Sequence, residues 1–133
     1  MKRFSLDTNI VADLIRNPAG LVARRLREVG EESVALSIVV AGELRFGAAK
    51  SGSARLGRRV EELLGSFEVL PLTTPVDKTY ALARRALETA GTPIGPNDLL
   101  IAAQAKVLGM TVVTDNLREF DRVPGLEVVN WLR

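Results

Sequence analysis

The stretch that decides the fold is KRFSLDTN at residues 2–9, together with its counterpart TVVTDN at residues 111–116. Each begins as a short strand-forming run and ends in an aspartate, Asp7 or Asp115, ahead of a segment with helical character. Apolar and β-branched runs of this length favour buried strands. The two stretches therefore predict strands over residues 2–6 and 111–114, with an acid at the carboxyl end of each.

The same alternation continues along the rest of the chain. Further strands are predicted over 33–38, 67–72 and 126–129, and helices over 8–16, 18–29, 39–50, 56–64, 76–90, 97–108 and 116–120. Pro71 interrupts the third strand and indicates a sheet edge. Strands that alternate with helices predict an α/β domain with a parallel sheet covered on both faces. Ligands bind such sheets outside the carboxyl ends of the strands.

Composition excludes several kinds of chemistry. The 133 residues, expected to form one domain over 1–133, include no cysteine and no histidine. Disulfides, thiolate metal sites and histidine-based catalysis are therefore impossible. The longest uncharged stretch has ten residues, 33–42, which is too short to span a membrane, and the amino terminus lacks a signal-peptide pattern. These features indicate a soluble, cytoplasmic protein.

Four acids are candidates for a shared site, and each has a simpler explanation. Asp7 and Asp115 follow strands and precede helices, so either could serve only as a helix cap. Asp98 could complement the dipole of the helix that follows it. However, it precedes the apolar run Leu99–Ala103, where an unpaired carboxylate is costly. Glu43 could be an exposed residue in the middle of a helix, although it closely follows a predicted buried strand.

Carboxylates gathered at one sheet edge would repel each other unless a cation were bound. Mg²⁺ or Mn²⁺ suits such oxygen ligands and activates water for attack on a phosphate. Because histidine is absent, metal-activated water is the hydrolytic mechanism that the composition favours. The sequence leaves open whether one or two metal ions act.

A basic stripe lies between residues 44 and 60, with five cations and no acid: Arg45, Lys50, Arg55, Arg58 and Arg59. Such a stripe beside an acidic site is typical of a nuclease that must hold a polyanion. A solvated surface or a contact with a partner protein is the alternative.

Four segments together resemble the PIN-domain ribonucleases, in particular the VapC-type toxins of bacterial toxin–antitoxin pairs. They are LDTN at 6–9, AGELRFG at 41–47, PIGPNDLLIAA at 93–103, and VTDN at 113–116 with Glu119-Phe120. The ending, Arg122–Leu126 through Asn130-Trp131, is also similar to that family.

The resemblance implies a three-layer α/β/α sandwich with a five-stranded parallel sheet in the order 3-2-1-4-5. It also implies a Mg²⁺- or Mn²⁺-dependent endoribonuclease that is a homodimer and is blocked by a VapB-type antitoxin. The RNA substrate would be unspecified, with tRNA as one option. The acidic residues implied as catalytic and metal-binding are Asp7, Glu43, Asp98 and Asp115. The residues implied to orient acids or water are Asn9, Thr114 and Asn116.

Two alternatives remain open. Many similar toxins have Asn where this chain has Asp115, so Asp121 could supply the fourth acid instead. The chain could also be an interaction module of the same fold that binds an antitoxin or RNA and cleaves nothing.

Overall fold

Five parallel strands form the centre of the fold in a computed structural model that describes residues 2–133. They are β1 (Phe4–Leu6), β2 (Val34–Ser37), β3 (Glu68–Leu70), β4 (Thr111–Val113) and β5 (Val128–Val129). Their order across the sheet is β3-β2-β1-β4-β5, with β1 pairing in parallel with both β2 and β4. This confirms the predicted α/β class and the 3-2-1-4-5 order.

Seven α-helices and one 3₁₀ turn (Glu31–Ser33) connect the strands. The helices are α1 (Thr8–Arg16), α2 (Leu21–Val29), α3 (Ile38–Ser51), α4 (Ala54–Ser66), α5 (Val76–Thr89), α6 (Pro96–Leu108) and α7 (Leu117–Phe120). Side-chain caps fix several starts; for example, the Ser53 hydroxyl accepts a hydrogen bond from Leu56 N at 3.1 Å. Gly52 and Gly109 end α3 and α6 in left-handed conformations that suit glycine.

The start of α2 differs from the sequence prediction by three residues, since it begins at Leu21 and not near Pro18. Asn17 through Gly20 instead form a turn in which Gly20 N donates to the Asn17 carbonyl at 2.9 Å. Gly20 then caps α2, because its own carbonyl accepts from Arg24 N at 3.0 Å. The strands are also shorter than predicted by a residue or more at their ends, while β3 is indeed at an edge.

Both faces of the sheet are covered. Successive strand residues point to opposite faces, and all four residues of β2 are buried. Leu6, Leu36 and Val113 are fully buried at the sheet, and Ile10 of α1 and Ile101 of α6 are fully buried against it. The core therefore holds the strands in a three-layer arrangement of helices, sheet and helices.

No helix within residues 2–133 is both long enough and apolar enough to cross a membrane.

The sheet brings the starts of several helices to one edge. Asp7 lies between β1 and α1, Ser37 ends β2 and caps α3, and residues 114–116 lie between β4 and α7. Because the strands are parallel, all of these junctions lie at their carboxyl ends.

Candidate active site

Asp7 lies at the centre of this edge and is almost completely buried, with 5% of its surface exposed. One carboxylate oxygen accepts from Thr8 N at 2.8 Å, which caps α1, and the other accepts from the Thr114 hydroxyl at 2.7 Å. Burial raises the pKa of Asp7, the bonds from Thr114 and Thr8 lower it, and the charges of Glu43 and Glu119 raise it. Asp7 is therefore both the helix cap and a rigidly held, electrostatically strained carboxylate.

Asp98 lies in the first turn of α6, two residues after Pro96, where the helix begins. Burial and a hydrogen bond with Glu119 raise its pKa to about 7, and the charges of Asp7, Glu119 and Glu43 add to the shift. A hydrogen bond that raises the pKa stabilises the neutral form of the carboxyl group, so burial and this bond both disfavour a charged Asp98.

Glu43 reaches the same cluster from α3. Its Oε1 accepts a hydrogen bond from the Thr8 hydroxyl at 2.5 Å, across to the first residue of α1. Glu43 is half-buried, and its charge contributes to the raised pKa of both Asp7 and Asp98. The structure thus brings together three of the four acids singled out in the sequence.

Glu119, on α7, is the acid that completes the cluster; in the sequence it is part of the fourth segment that resembles the family, but no role was predicted for it. It accepts from Asn116 Nδ2 at 2.6 Å and contacts Asp98. Its spacing, three residues after Asn116 at the start of a short helix, is the one local signal that could have identified it, because an acid at that position often turns back toward the helix start.

Asp115 points elsewhere. Its carboxylate accepts from Asn130 Nδ2 at 2.9 Å and lies 3.7 Å from the Arg133 guanidinium. Its backbone N–H donates to Asn9 Oδ1 at 3.3 Å. Asp121, the other option for the fourth acid, is exposed where α7 ends. Glu119 is thus the acid that bonds to Asp98, while the Asp115 side chain bonds to Asn130.

Thr114 links the acids into a network. Its side chain is fully buried, and its hydroxyl both donates to Asp7 and accepts from Asn116 N at 2.9 Å. Asn116 in turn donates through its side chain to Glu119. This chain of bonds fixes Asp7 and Glu119 relative to each other.

The donor set suits a hydrated Mg²⁺ or Mn²⁺ ion. Among residues 2–133, no three acids are already arranged as a ligand cluster. However, Mg²⁺ keeps several water ligands and needs only one or two carboxylates. Asp7 and Asp98 are the best candidates, because burial raises the pKa of both carboxyl groups and the charges of neighbouring acids raise it further, so a bound cation would stabilise their ionised forms. Glu43 and Glu119 could then act through water.

The basic stripe is divided in the structure. Arg45 forms a two-pronged ion pair with Glu61, at 2.9 and 3.0 Å, and Arg59 donates to the Ile15 carbonyl at 2.7 Å. Arg55 and Arg58 remain exposed on α4. Half of the predicted RNA-binding arginines thus have contacts within the protein.

The comparisons with known proteins agree with this architecture. The PIN-domain profile matches residues 5–126. The chain belongs to the PIN-domain family. This PIN domain is 36% identical over 132 residues to the tRNA(fMet)-specific endonuclease VapC of Salmonella typhimurium, and the match covers 98% of this chain and 99% of the relative. It is 37% identical over 134 residues to Ribonuclease VapC2 of Haemophilus influenzae, with 99% and 100% covered.

A solved structure supports the same assignment. The DNA-bound VapBC from Salmonella typhimurium contains a chain that superposes on this PIN domain with a TM-score of 0.89 at 35% identity, and 98% and 99% of the two chains are covered. These relatives identify the PIN domain as one of the VapC type.

Proposed function

We propose that this PIN domain is the toxin of a VapBC-type pair, a metal-dependent endoribonuclease. The observation that carries the proposal is the convergence of four carboxylates at the carboxyl edge of the sheet, those of Asp7, Glu43, Asp98 and Glu119. The ribonuclease names of its high-coverage relatives support the substrate class.

Asp7 and Asp98 would hold Mg²⁺ or Mn²⁺. When bound, the cation supplies positive charge for the phosphate and lowers the pKa of a water molecule. Asp7 needs no reorganisation for this role, since Thr8 and Thr114 already hold both of its oxygens. Because the pKa of Asp98 is raised to about 7, metal binding near neutral pH would release a proton from the fraction of the protein in which Asp98 is protonated.

The proposed partners follow from the same family. A VapB-type antitoxin would cover the site, as the structural relative is a VapBC complex bound to DNA. A tRNA is the proposed substrate class, because one relative is a tRNA(fMet)-specific endonuclease. We also propose a homodimer. The exposed Arg55 and Arg58 would contribute to RNA binding through phosphate contacts.

Cleavage of purified tRNA by the antitoxin-free protein tests the enzymatic proposal. We expect cleavage in Mg²⁺, none in EDTA, and none with Asp7→Asn, which keeps the shape of the side chain but removes its charge. Asp77→Asn is the matched control, since Asp77 is an exposed acid on α5, away from the four-acid cluster.

Two outcomes would contradict the proposal. Cleavage that persists in EDTA would refute the metal mechanism. A folded wild-type protein that binds its antitoxin but cleaves no RNA with any divalent cation would support the alternative, an interaction module without catalysis.

A further inference from the structure

Asp115 lies between two residues that hold the catalytic acids. Thr114 on one side donates to Asp7, and Asn116 on the other side donates to Glu119. The Asp115 side chain makes neither contact and bonds instead to the segment that follows β5. The loop 114–116 thus bonds to acids of the site through Thr114 and Asn116, and to Asn130 through Asp115.

Asn130 is itself held in place by its neighbours. Asn130 uses both ends of its amide, since Nδ2 donates to Asp115 at 2.9 Å and Oδ1 accepts from Leu132 N at 2.8 Å. The intervening Trp131 is buried, and its ring packs against Phe4 of β1 with centroids 5.3 Å apart. Asn130 therefore has a fixed orientation and can restrain Asp115.

We propose that Asp115 is a positioning residue, which holds the loop 114–116 through Asn130 so that Thr114 and Asn116 stay bonded to their acids. It does not ligate the metal. The inference rests on the proposed metal site. Its chemical basis is that the Asp115–Asn130 bond needs an acceptor oxygen at position 115 but no charge, whereas a metal ligand in this set needs a carboxylate.

The substitutions Asp115→Asn, Asp115→Ala and Asn130→Ala separate the two roles. Asparagine keeps the oxygen that accepts from Asn130, and alanine does not. We expect Asp115→Asn to keep the Mn²⁺ dissociation constant, measured by electron paramagnetic resonance, and kcat within about twofold of wild type. Asp115→Ala and Asn130→Ala should each weaken Mn²⁺ binding about two- to tenfold, the range for loss of one hydrogen bond.

A double variant supplies the coupling test. Because both alanine substitutions break the same bond, Asp115→Ala with Asn130→Ala should be little worse than either alone. The proposal would be overturned in favour of ligation by the following result: Asp115→Asn loses as much Mn²⁺ affinity as Asp115→Ala, and Asn130→Ala binds Mn²⁺ like the wild type. Unchanged Mn²⁺ binding and kcat in all variants, with only a lower Tm, would show a merely structural bond and would also overturn it.

Failure of the metal site itself gives a different result. In that case the wild-type protein binds no Mn²⁺ and EDTA leaves its cleavage unchanged, which contradicts the proposed function. Because the inference rests on the proposed metal site, that result removes the basis of the inference as well, and it differs from every outcome above, in which the wild-type protein binds Mn²⁺.

Discussion

Replacing Asp98 by asparagine should stabilise the metal-free protein at neutral and alkaline pH. Burial and the neighbouring acids raise the pKa of Asp98 from 3.8 to about 7 in the folded state. A group whose pKa is raised by folding contributes stability below its unfolded pKa and loses it as the pH rises through the folded pKa. Between about pH 4 and pH 7 Asp98 is ionised in the unfolded state but still protonated in the folded state, so the free energy of unfolding falls as the pH rises through this range. The asparagine side chain carries no ionisable proton and can still donate to Glu119.

The size of the effect follows from the pKa interval. The rise from 3.8 to about 7 would correspond to roughly 4 kcal/mol at 1.36 kcal/mol per unit if Asp98 were shielded from water. Asp98 is only half-buried, so solvent screening reduces the expected gain at pH 8 to about 2 kcal/mol. For a domain of this size, that gain raises Tm by roughly 5–10 °C.

Thermal unfolding in EDTA from pH 4 to pH 8 measures the difference between wild type and Asp98→Asn. The two proteins should have similar Tm values near pH 4 and diverge as the pH rises, with the variant more stable. Saturating Mg²⁺ at pH 8 should raise the Tm of the wild type much more than that of the variant. Equal Tm values at pH 8 in EDTA, or a less stable variant, would refute the reasoning that Asp98 lies in a crowded, negatively charged site.

Three further predictions concern the network, the basic surface and the core. Thr114→Val leaves Asp7 Oδ2 and the Asn116 N–H without their partner, so it should lower the free energy of unfolding by about 1–3 kcal/mol in urea titrations. It should also slow tRNA cleavage at least tenfold, and a wild-type rate would contradict the network. Arg55→Ala with Arg58→Ala should weaken tRNA binding and reduce the slope of log K against log salt by about 1–2, and an unchanged slope would exclude phosphate contacts. Leu36→Ala, at a fully buried site, should cost about 2–5 kcal/mol in the same titrations, and a loss under about 1 kcal/mol would mean that β2 is not in the core.

The sheet and most of the site could be predicted because their signals are local. A buried strand followed directly by an acid fixes Asp7 at the carboxyl edge whatever the details of the fold. Asp98 could be predicted as a site residue because it precedes a long apolar run, where a carboxylate without a partner is costly. The strand order itself came from the resemblance, since alternation alone predicts a parallel sheet without its order.

The remaining details depend on contacts between distant residues. Asp115 and Glu119 lie four positions apart, but the direction of Asp115 is set by Asn130, fifteen positions away. Likewise, Arg59 turns to a carbonyl on α1, forty-four positions away, and so becomes a structural contact. No local sequence pattern predicts either hydrogen bond. The start of α2 was missed for a smaller reason, because both Pro18 and Gly20 can begin a helix and the turn after Asn17 decides between them.

Cleavage of tRNA in H₂¹⁸O with Mg²⁺ tests the central claim most directly, namely that these four acids prepare water to attack the phosphodiester bond. Mass spectrometry of the new termini at early times should show a phosphate monoester that carries one ¹⁸O atom and a free hydroxyl on the other fragment. A 2′,3′-cyclic phosphate without ¹⁸O would show that the ribose hydroxyl, and not water, is the nucleophile, and would contradict the account.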